Sequence, residues 1–207
     1  MGGAVLAADR KKGHERGAWI CFCDESGTGL TGHITHTWAP AGQTPVLHVV
    51  KGEQAKLSMA ALACYPPRPG PSGTPVPALA RLIWRTRPGW YHDGELIELL
   101  DQAHQQLAAP MILIWDNLPG HHSGRMHAAI RARNWLEVEN LPSYAPDLNP
   151  VEGLWAHLDA TVLANLAALT LYELRNAVRT GLRAVQRRAC LLESFLAHAR
   201  LQIQLRT

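Results

Sequence analysis

The chain has only four cysteines, Cys21, Cys23, Cys64 and Cys190, and none lies in a C-x-x-C pair or at a zinc-type spacing. This absence sets aside a structural zinc site and points to a reducing, cytosolic compartment. Cys21 and Cys23 are two apart in an apolar run, so they share one strand face as small apolar residues. No apolar run reaches the ~18 residues of a membrane span. The short stretch Ala4–Ala8 is followed by Asp9-Arg10-Lys11-Lys12, which is not a signal-peptide layout. Internal repeats and low-complexity tracts are missing too. Charge of one sign is not in strong excess: the net charge is +3, which permits an anionic partner without demonstrating one.

What is present is a globular composition. The chain has 207 residues, 47% of them apolar and 18% charged, enough for one domain with a substantial core and room for a small appendage. Residues 1–17 are small, polar and basic and read as a linker or an arm. Trp19–Cys23 reads as a first strand, with a turn at Gly27-Thr28-Gly29. Leu30–Trp38 suits a second strand and Pro45–Val50 a third. Lys56–Cys64 is strand or buried segment, undecided by periodicity. The proline-rich Tyr65–Pro77 reads as a loop or hairpin tip, and Leu79–Arg85 as a returning strand. Asp93–Leu107 has the apolar face of a helix, and Met111–Trp115 is a short continuous apolar run typical of a buried central strand. Ser123–Asn134 reads as a basic helix and Leu136–Val138 as a short strand. Asn149-Pro150 is a clean helix start, a strong N-cap followed by proline at the first helical position. Thr170-Leu171-Tyr172-Glu173 is a capping-box pattern opening the last long helix. The order of elements gives a mixed α/β sheet with helices packed on it.

Three acids stand at the ends of apolar elements. Asp24 follows Trp19–Cys23, and either caps a turn or carries chemistry. Glu25, next to it, should point to the opposite face. Asp116 follows Met111–Trp115, at the carboxyl end of a buried strand, where α/β proteins place ligands; a turn-forming Asp-Asn is the plainer alternative. Glu152 lies three residues after the N-cap Asn149, where it could reach back to the cap N–H and favour the positive end of the helix dipole. The rigid approach Tyr144-Ala145-Pro146-Asp147-Leu148-Asn149-Pro150 instead suits a residue whose position must be fixed. Three carboxylates offer hard oxygen ligands. Two Mg²⁺ ions about 3.5–4 Å apart would clamp the attacking and leaving oxygens of a phosphodiester, keeping waters and phosphate oxygens as their other ligands. Asp24, on the first strand, is the choice for a bridging carboxylate.

At these residues the chain resembles the DDE transposases of the bacterial IS630 group, within the Tc1/mariner superfamily. The matching segments are Phe22-Cys23-Asp24-Glu25-Ser26-Gly27, Thr37-Trp38-Ala39-Pro40-Ala41-Gly42-Gln43-Thr44-Pro45, Ile114-Trp115-Asp116-Asn117-Leu118-Pro119-Gly120-His121 and Leu141 through Trp155, in family order. The resemblance makes Asp24, Asp116 and Glu152 a metal-binding catalytic triad. The 35 residues between Asp116 and Glu152 match the close spacing of that superfamily. It implies a ribonuclease H-like fold over residues 18–207, with Asp24 and Asp116 side by side on the first and fourth strands. It further implies two Mg²⁺ ions, with Mn²⁺ as substitute, and double-stranded DNA as substrate. The reaction would be cleavage at insertion-element ends and strand transfer by direct transesterification. A homodimer in the active complex and a nucleoid-associated cytoplasmic location follow from the same resemblance.

Family members usually begin with helix-turn-helix modules. About seventeen residues precede the first strand, too few for one such module, so the chain is expected to be a catalytic half, with a separate reading frame as a possible source of those modules. The alternatives are a remnant acting only in DNA binding or oligomerisation, or a ribonuclease H-like nuclease or resolvase.

For DNA contact the favoured residues are Arg81, Arg85, Arg87, His121, Arg125, Arg131 and Arg133, which lie closer in sequence to the proposed site. His121-His122 could ligate zinc, but hydrogen bonding near a phosphate fits better. Arg175, Arg179, Arg183 and Arg187 recur every four residues and form one helix stripe, with Arg188 and Arg200 nearby. The stripe is either a solvated face or a track for phosphates. Trp38, Trp84, Trp115 and Trp155 are expected in the core.

Overall fold

The computed structural model describes residues 17–49, 55–67, 79–142, 145–199 and 201. The expected arm before residue 17, Val50, most of the proline-rich stretch, Ser143, Tyr144 and Arg200 lie outside the described residues. The frame is a five-stranded sheet of order β3-β2-β1-β4-β5. Its strands are β1 (Trp19–Gly29), β2 (Lys56–Tyr65), β3 (Arg81–Pro88), β4 (Met111–Trp115) and β5 (Leu136–Asn140). The first three form an antiparallel meander. β4 joins the other side of β1 in parallel, and β5 extends the sheet in parallel beyond it.

Strand alternation divides the core in two. Ile20 and Phe22 of β1 face α3 (Pro150–Leu158), α4 (Leu171–Gln186) and α5 (Ala189–His198). Trp19, Cys21 and Cys23 face α1 (Asp93–Leu107) and α2 (Gly124–Arg131). Both faces are covered, so β2 reads as an unbroken small apolar run rather than an alternating one. That cover explains why its periodicity left Lys56–Cys64 undecided, and the segment is a strand. Among the described residues no helix is long and apolar enough to cross a membrane.

Three expectations fail for tertiary reasons. Gly27-Thr28-Gly29 is not a turn: β1 continues through it, paired with Leu57 and its neighbours. Leu30–Trp38 is not a second strand, because β2 already occupies that side of β1. Only Thr31 makes a bridge, to Ala167, and Trp38 is 99% exposed instead of being core. Residues 45–49 of the expected third strand are irregular. The segment leaving β1 is pinned at its start, where Gly32 N–H donates to Leu166 O at 2.8 Å and Ala168 N–H to Leu30 O at 3.1 Å. Gly32 passes so close to Leu163 that a Cβ would lie 2.0 Å from its carbonyl oxygen, so only glycine fits there.

The helices follow the sequence more closely. α1 begins and ends where expected, with Leu96, Leu99, Leu100, Ala103 and Leu107 buried. α2 is shorter than Ser123–Asn134, because Ser123 is its N-cap and accepts from Met126 N–H. β3 and β5 each run a few residues beyond their expected ends. Thr170 caps α4 by accepting from Glu173 N–H, while the Glu173 carboxylate accepts from Leu169 N–H. The chain breaks at Arg187-Arg188, and α5 follows as a separate helix tied to the sheet by a 2.9 Å bond from Tyr65 Oη to Leu192 O.

Candidate active site

Asp24 and Asp116 stand on adjacent parallel strands. β1 pairs with β4 up to Phe22 opposite Ile114, so two residues further on Asp24 and Asp116 emerge beside each other. Both belong to the face that α3 covers. Glu152 enters that face from the first turn of α3. The three acids line one cleft of about 350 Å³, together with Asn117, Leu118 and Asn149.

The first turn of α3 is fixed to β1 by Asn149, which is buried. Its Oδ1 accepts from Val151 N–H at 3.1 Å, and its Nδ2 donates to Cys23 O at 3.2 Å. One side chain therefore caps the helix and bolts it to the residue before Asp24. The conflict over Glu152 is settled by the backbone. Asn149 N–H already donates to Pro146 O at 2.8 Å, so the cap does not need the Glu152 carboxylate, which lines the cleft instead. One turn further along, Trp155 donates its indole N–H to Asp24 Oδ2 at 2.8 Å. Trp155 is core, as expected, and its polar edge has this further role.

The electrostatics are those of crowded carboxylates. Burial, then repulsion from Glu152, pushes the pKa of Asp24 from 3.8 up to about 7, against the Trp155 hydrogen bond that lowers it. Burial, then Asp116 and Asp147, raises that of Glu152.

His121 is placed differently from the expectation. It is 4% exposed and stacks on Trp115 with ring centroids 4.1 Å apart and planes 8° from parallel. Nδ1 lies 3.0 Å from Asp116 Oδ1, and Nε2 lies 3.3 Å from Glu25 Oε1. Both nitrogens thus face protein acids, which leaves no ring atom exposed for a phosphate. Burial disfavours the charged ring, but hydrogen bonding and attraction from Glu25 and Asp116 outweigh it and raise the pKa of His121. Glu25 does point away from Asp24, and this histidine is what it meets. A buried His-Glu pair across the sheet has no signal in the sequence beyond the alternation of Asp24 and Glu25.

The arginines expected near DNA are largely engaged by α1. Arg133 makes two bonds to Asp101, at 2.6 and 2.7 Å. Arg85 contacts Gln102 and Glu98, Arg87 pairs with Glu95, and Arg81 donates to Gln106 O. Arg125 lies against Gly94 at the start of α1, and Arg131 is exposed at the end of α2.

With this geometry in view, residues 86–175 match the sequence profile described as DDE superfamily endonuclease. The matched segment includes Asp116 and Glu152 and begins after Asp24. No curated protein matches in sequence. Among solved structures, the mariner Mos1 paired-end complex with Mg is similar at a TM-score of 0.58 and 16% identity, covering 96% of this chain and 58% of that one. A pre-cleavage Mos1 transpososome gives 0.56 and 16%, with 95% and 60% covered. The Mos1 catalytic domain with raltegravir and Mn gives 0.51 and 15%, with 96% and 86% covered. At these identities the likeness shows the fold, which is ribonuclease H-like as the resemblance implied. The chain spans about three-fifths of the Mos1 chains in the two larger assemblies.

Proposed function

We propose that the chain is the catalytic part of a DDE transposase of the Tc1/mariner type and IS630 group, with Asp24, Asp116 and Glu152 as its metal ligands. The carrying observation is that acids from β1, the end of β4 and α3 line one cleft, and that Asp116 and Glu152 fall within the segment matching the DDE superfamily endonuclease profile. Among the described residues no three His, Cys, Asp or Glu side chains are already arranged to hold a metal ion. The donor chemistry nevertheless fits hard divalent cations. Burial, and then repulsion from Glu152, leave Asp24 only about half ionised at pH 7, and a nearby cation would offset both. Mos1 has been solved with both Mg and Mn, and Mg²⁺, replaceable by Mn²⁺, is the pair proposed here.

Divalent ions, when bound, supply Lewis-acid activation of the attacking oxygen and neutralise charge at the phosphodiester. The protein's own residues set the stage. Trp155 fixes the Asp24 carboxylate through Oδ2. His121 holds Asp116 through Oδ1, and Asn149 sets the distance of Glu152 from β1. In strand transfer a 3′-hydroxyl attacks phosphorus and a 3′-oxygen leaves, with no covalent enzyme intermediate. Duplex DNA is the proposed partner, in line with Mos1 paired-end complexes that hold a transposon end. A homodimer, a separate helix-turn-helix product and a nucleoid-associated location belong to the same reading.

The test is purified protein with element-end duplex and Mg²⁺ or Mn²⁺. Nicking and joining should appear in the wild type and vanish in Asp116→Asn with an unchanged circular dichroism spectrum. Full activity in that variant would remove Asp116 from the site. DNA binding without metal, and no cleavage under any condition, would give the DNA-binding remnant instead.

A further inference from the structure

The outer strand β3 is flanked by α1 on one face and α4 on the other. Between them runs a groove of about 580 Å³. Arg85 and Arg87 line it from β3, and Arg175, Arg179 and Arg183 line it from α4; Glu95 is the single acid among its lining residues. β3 alternates, so Ile83 faces α1 and Leu82 faces the α4 side. Arg85 reaches α1 through Gln102 and Glu98, while Arg179 lies over Trp84 with 5.9 Å to the ring centroid. The cations therefore straddle the sheet edge.

An independent observation points to a ligand. Among the described side chains, the buried Tyr91 Oη and Arg175 Nε lack a hydrogen-bond partner, while the third buried donor, Arg87 Nη1, is met by the Glu95 carboxylate. Both unpartnered groups line this groove, and both can donate. Buried donors left unmade are rare, so these two groups mark where the groove itself supplies no acceptor. The α4 arginines form a row rather than a nest. Eight residues of helix extend them over about 12 Å, which suits a string of phosphates better than one small anion. Tyr91 also lines the neighbouring depression that contains Glu25 and His121, and Leu118 lines both that depression and the acid cleft, so the three depressions adjoin one after another.

We infer that this groove seats the phosphodiester backbone of a DNA strand, independently of base sequence, beside the cleft assigned above. The location rests on the transposase reading, but its test does not need catalysis. The Arg175→Gln/Arg179→Gln/Arg183→Gln variant and the wild type are titrated in EDTA with an arbitrary duplex of about 30 base pairs, between about 50 and 200 mM salt. Three lost phosphate contacts should flatten the log K against log salt slope by about 2.7 and weaken binding at least about tenfold at low salt. Glu98→Gln, which releases Arg85, should bind several-fold tighter, a gain that unfolding cannot produce. An unchanged slope in the triple variant overturns the groove, as does displacement of DNA by an equal charge concentration of polyglutamate. If the groove behaves as stated but the wild type never nicks DNA with Mg²⁺, the seat stands and the transposase reading falls. Metal-dependent nicking with an unaffected triple variant gives the reverse.

Discussion

Trp155 and Glu152 lie three residues apart on α3, and the helix uses that spacing to address two acids at once. Glu152 lines the cleft while Trp155 donates its indole N–H to Asp24 Oδ2 at 2.8 Å. The same turn of helix carries one carboxylate and orients another. Trp155→Phe keeps the ring in the core and deletes the donor. The Asp24 pKa, already about 7, should then rise, because its hydrogen bond favours the charged form. Cleavage should fall about tenfold at pH 7 and recover partly at pH 8.5, so the acidic limb of the pH–rate profile moves upward. A profile that scales down without shifting would show that the bond does not set the Asp24 charge.

The acid cluster also has a stability signature. Asp24 titrates at 3.8 ordinarily and about 7 in the fold, so between those values the native state holds the extra proton. Stability from this group is full below about pH 4 and is lost as pH rises through 7. The raised pKa of Glu152 acts in the same direction. Metal-free Asp24→Asn should therefore gain stability over the wild type at pH 8 and little at pH 4, by at most about 4 kcal/mol from the size of the shift. Mn²⁺ should raise the wild-type melting temperature at pH 8 and much less at pH 5.5, since cation and proton compete. Equal Mn²⁺ shifts at the two pH values would contradict this.

Asn149→Ala removes a cap and abandons the buried Cys23 carbonyl. Loss of both should cost about 2–4 kcal/mol, read by urea denaturation. Asn149→Asp keeps the cap acceptor but not the donor, so it should recover only part. Full recovery by aspartate would show that the bond to Cys23 contributes nothing.

His121→Phe retains a ring over Trp115 and drops both acid contacts. The expected result is a folded protein whose Mn²⁺ affinity, measured by calorimetry, falls about ten- to a hundredfold, as for other residues that orient ligands. His121→Asn should recover part of the affinity by supplying a donor near Asp116. Wild-type affinity in the phenylalanine variant would make His121 a packing residue only.

Much of this arrangement is written locally. Met111–Trp115 reads as a buried strand because both its faces are covered, and Asn149-Pro150 reads as a helix start because capping is a short-range property. Asp93–Leu107 carries its apolar face at helical spacing. What stays hidden depends on distant partners. Gly27-Thr28-Gly29 has turn composition but is pulled into β1 by β2. Thr31 through Trp38 has strand composition but finds no strand partner beyond one bridge, with hydrogen bonds to Asn165 and Leu166 instead. His121 looks like a surface residue after Pro119-Gly120, yet Glu25, far back in the chain, draws it inside. The α4 arginines look like a solvated stripe until β3 is seen beside them.

The strand order has a kinetic consequence. β1, β2 and β3 form a meander that can assemble from chain already synthesised. β4, by contrast, must reach back past all three to pair Trp19 with Met111, and α3 docks later still through Asn149. Closing such long loops is slow. Asp24 is thus in place on its strand well before Asp116 and Glu152 arrive. A nascent or half-folded chain presents a single acid, and the three-acid cleft is completed only with the last long-range contacts, after the rest of the sheet has formed.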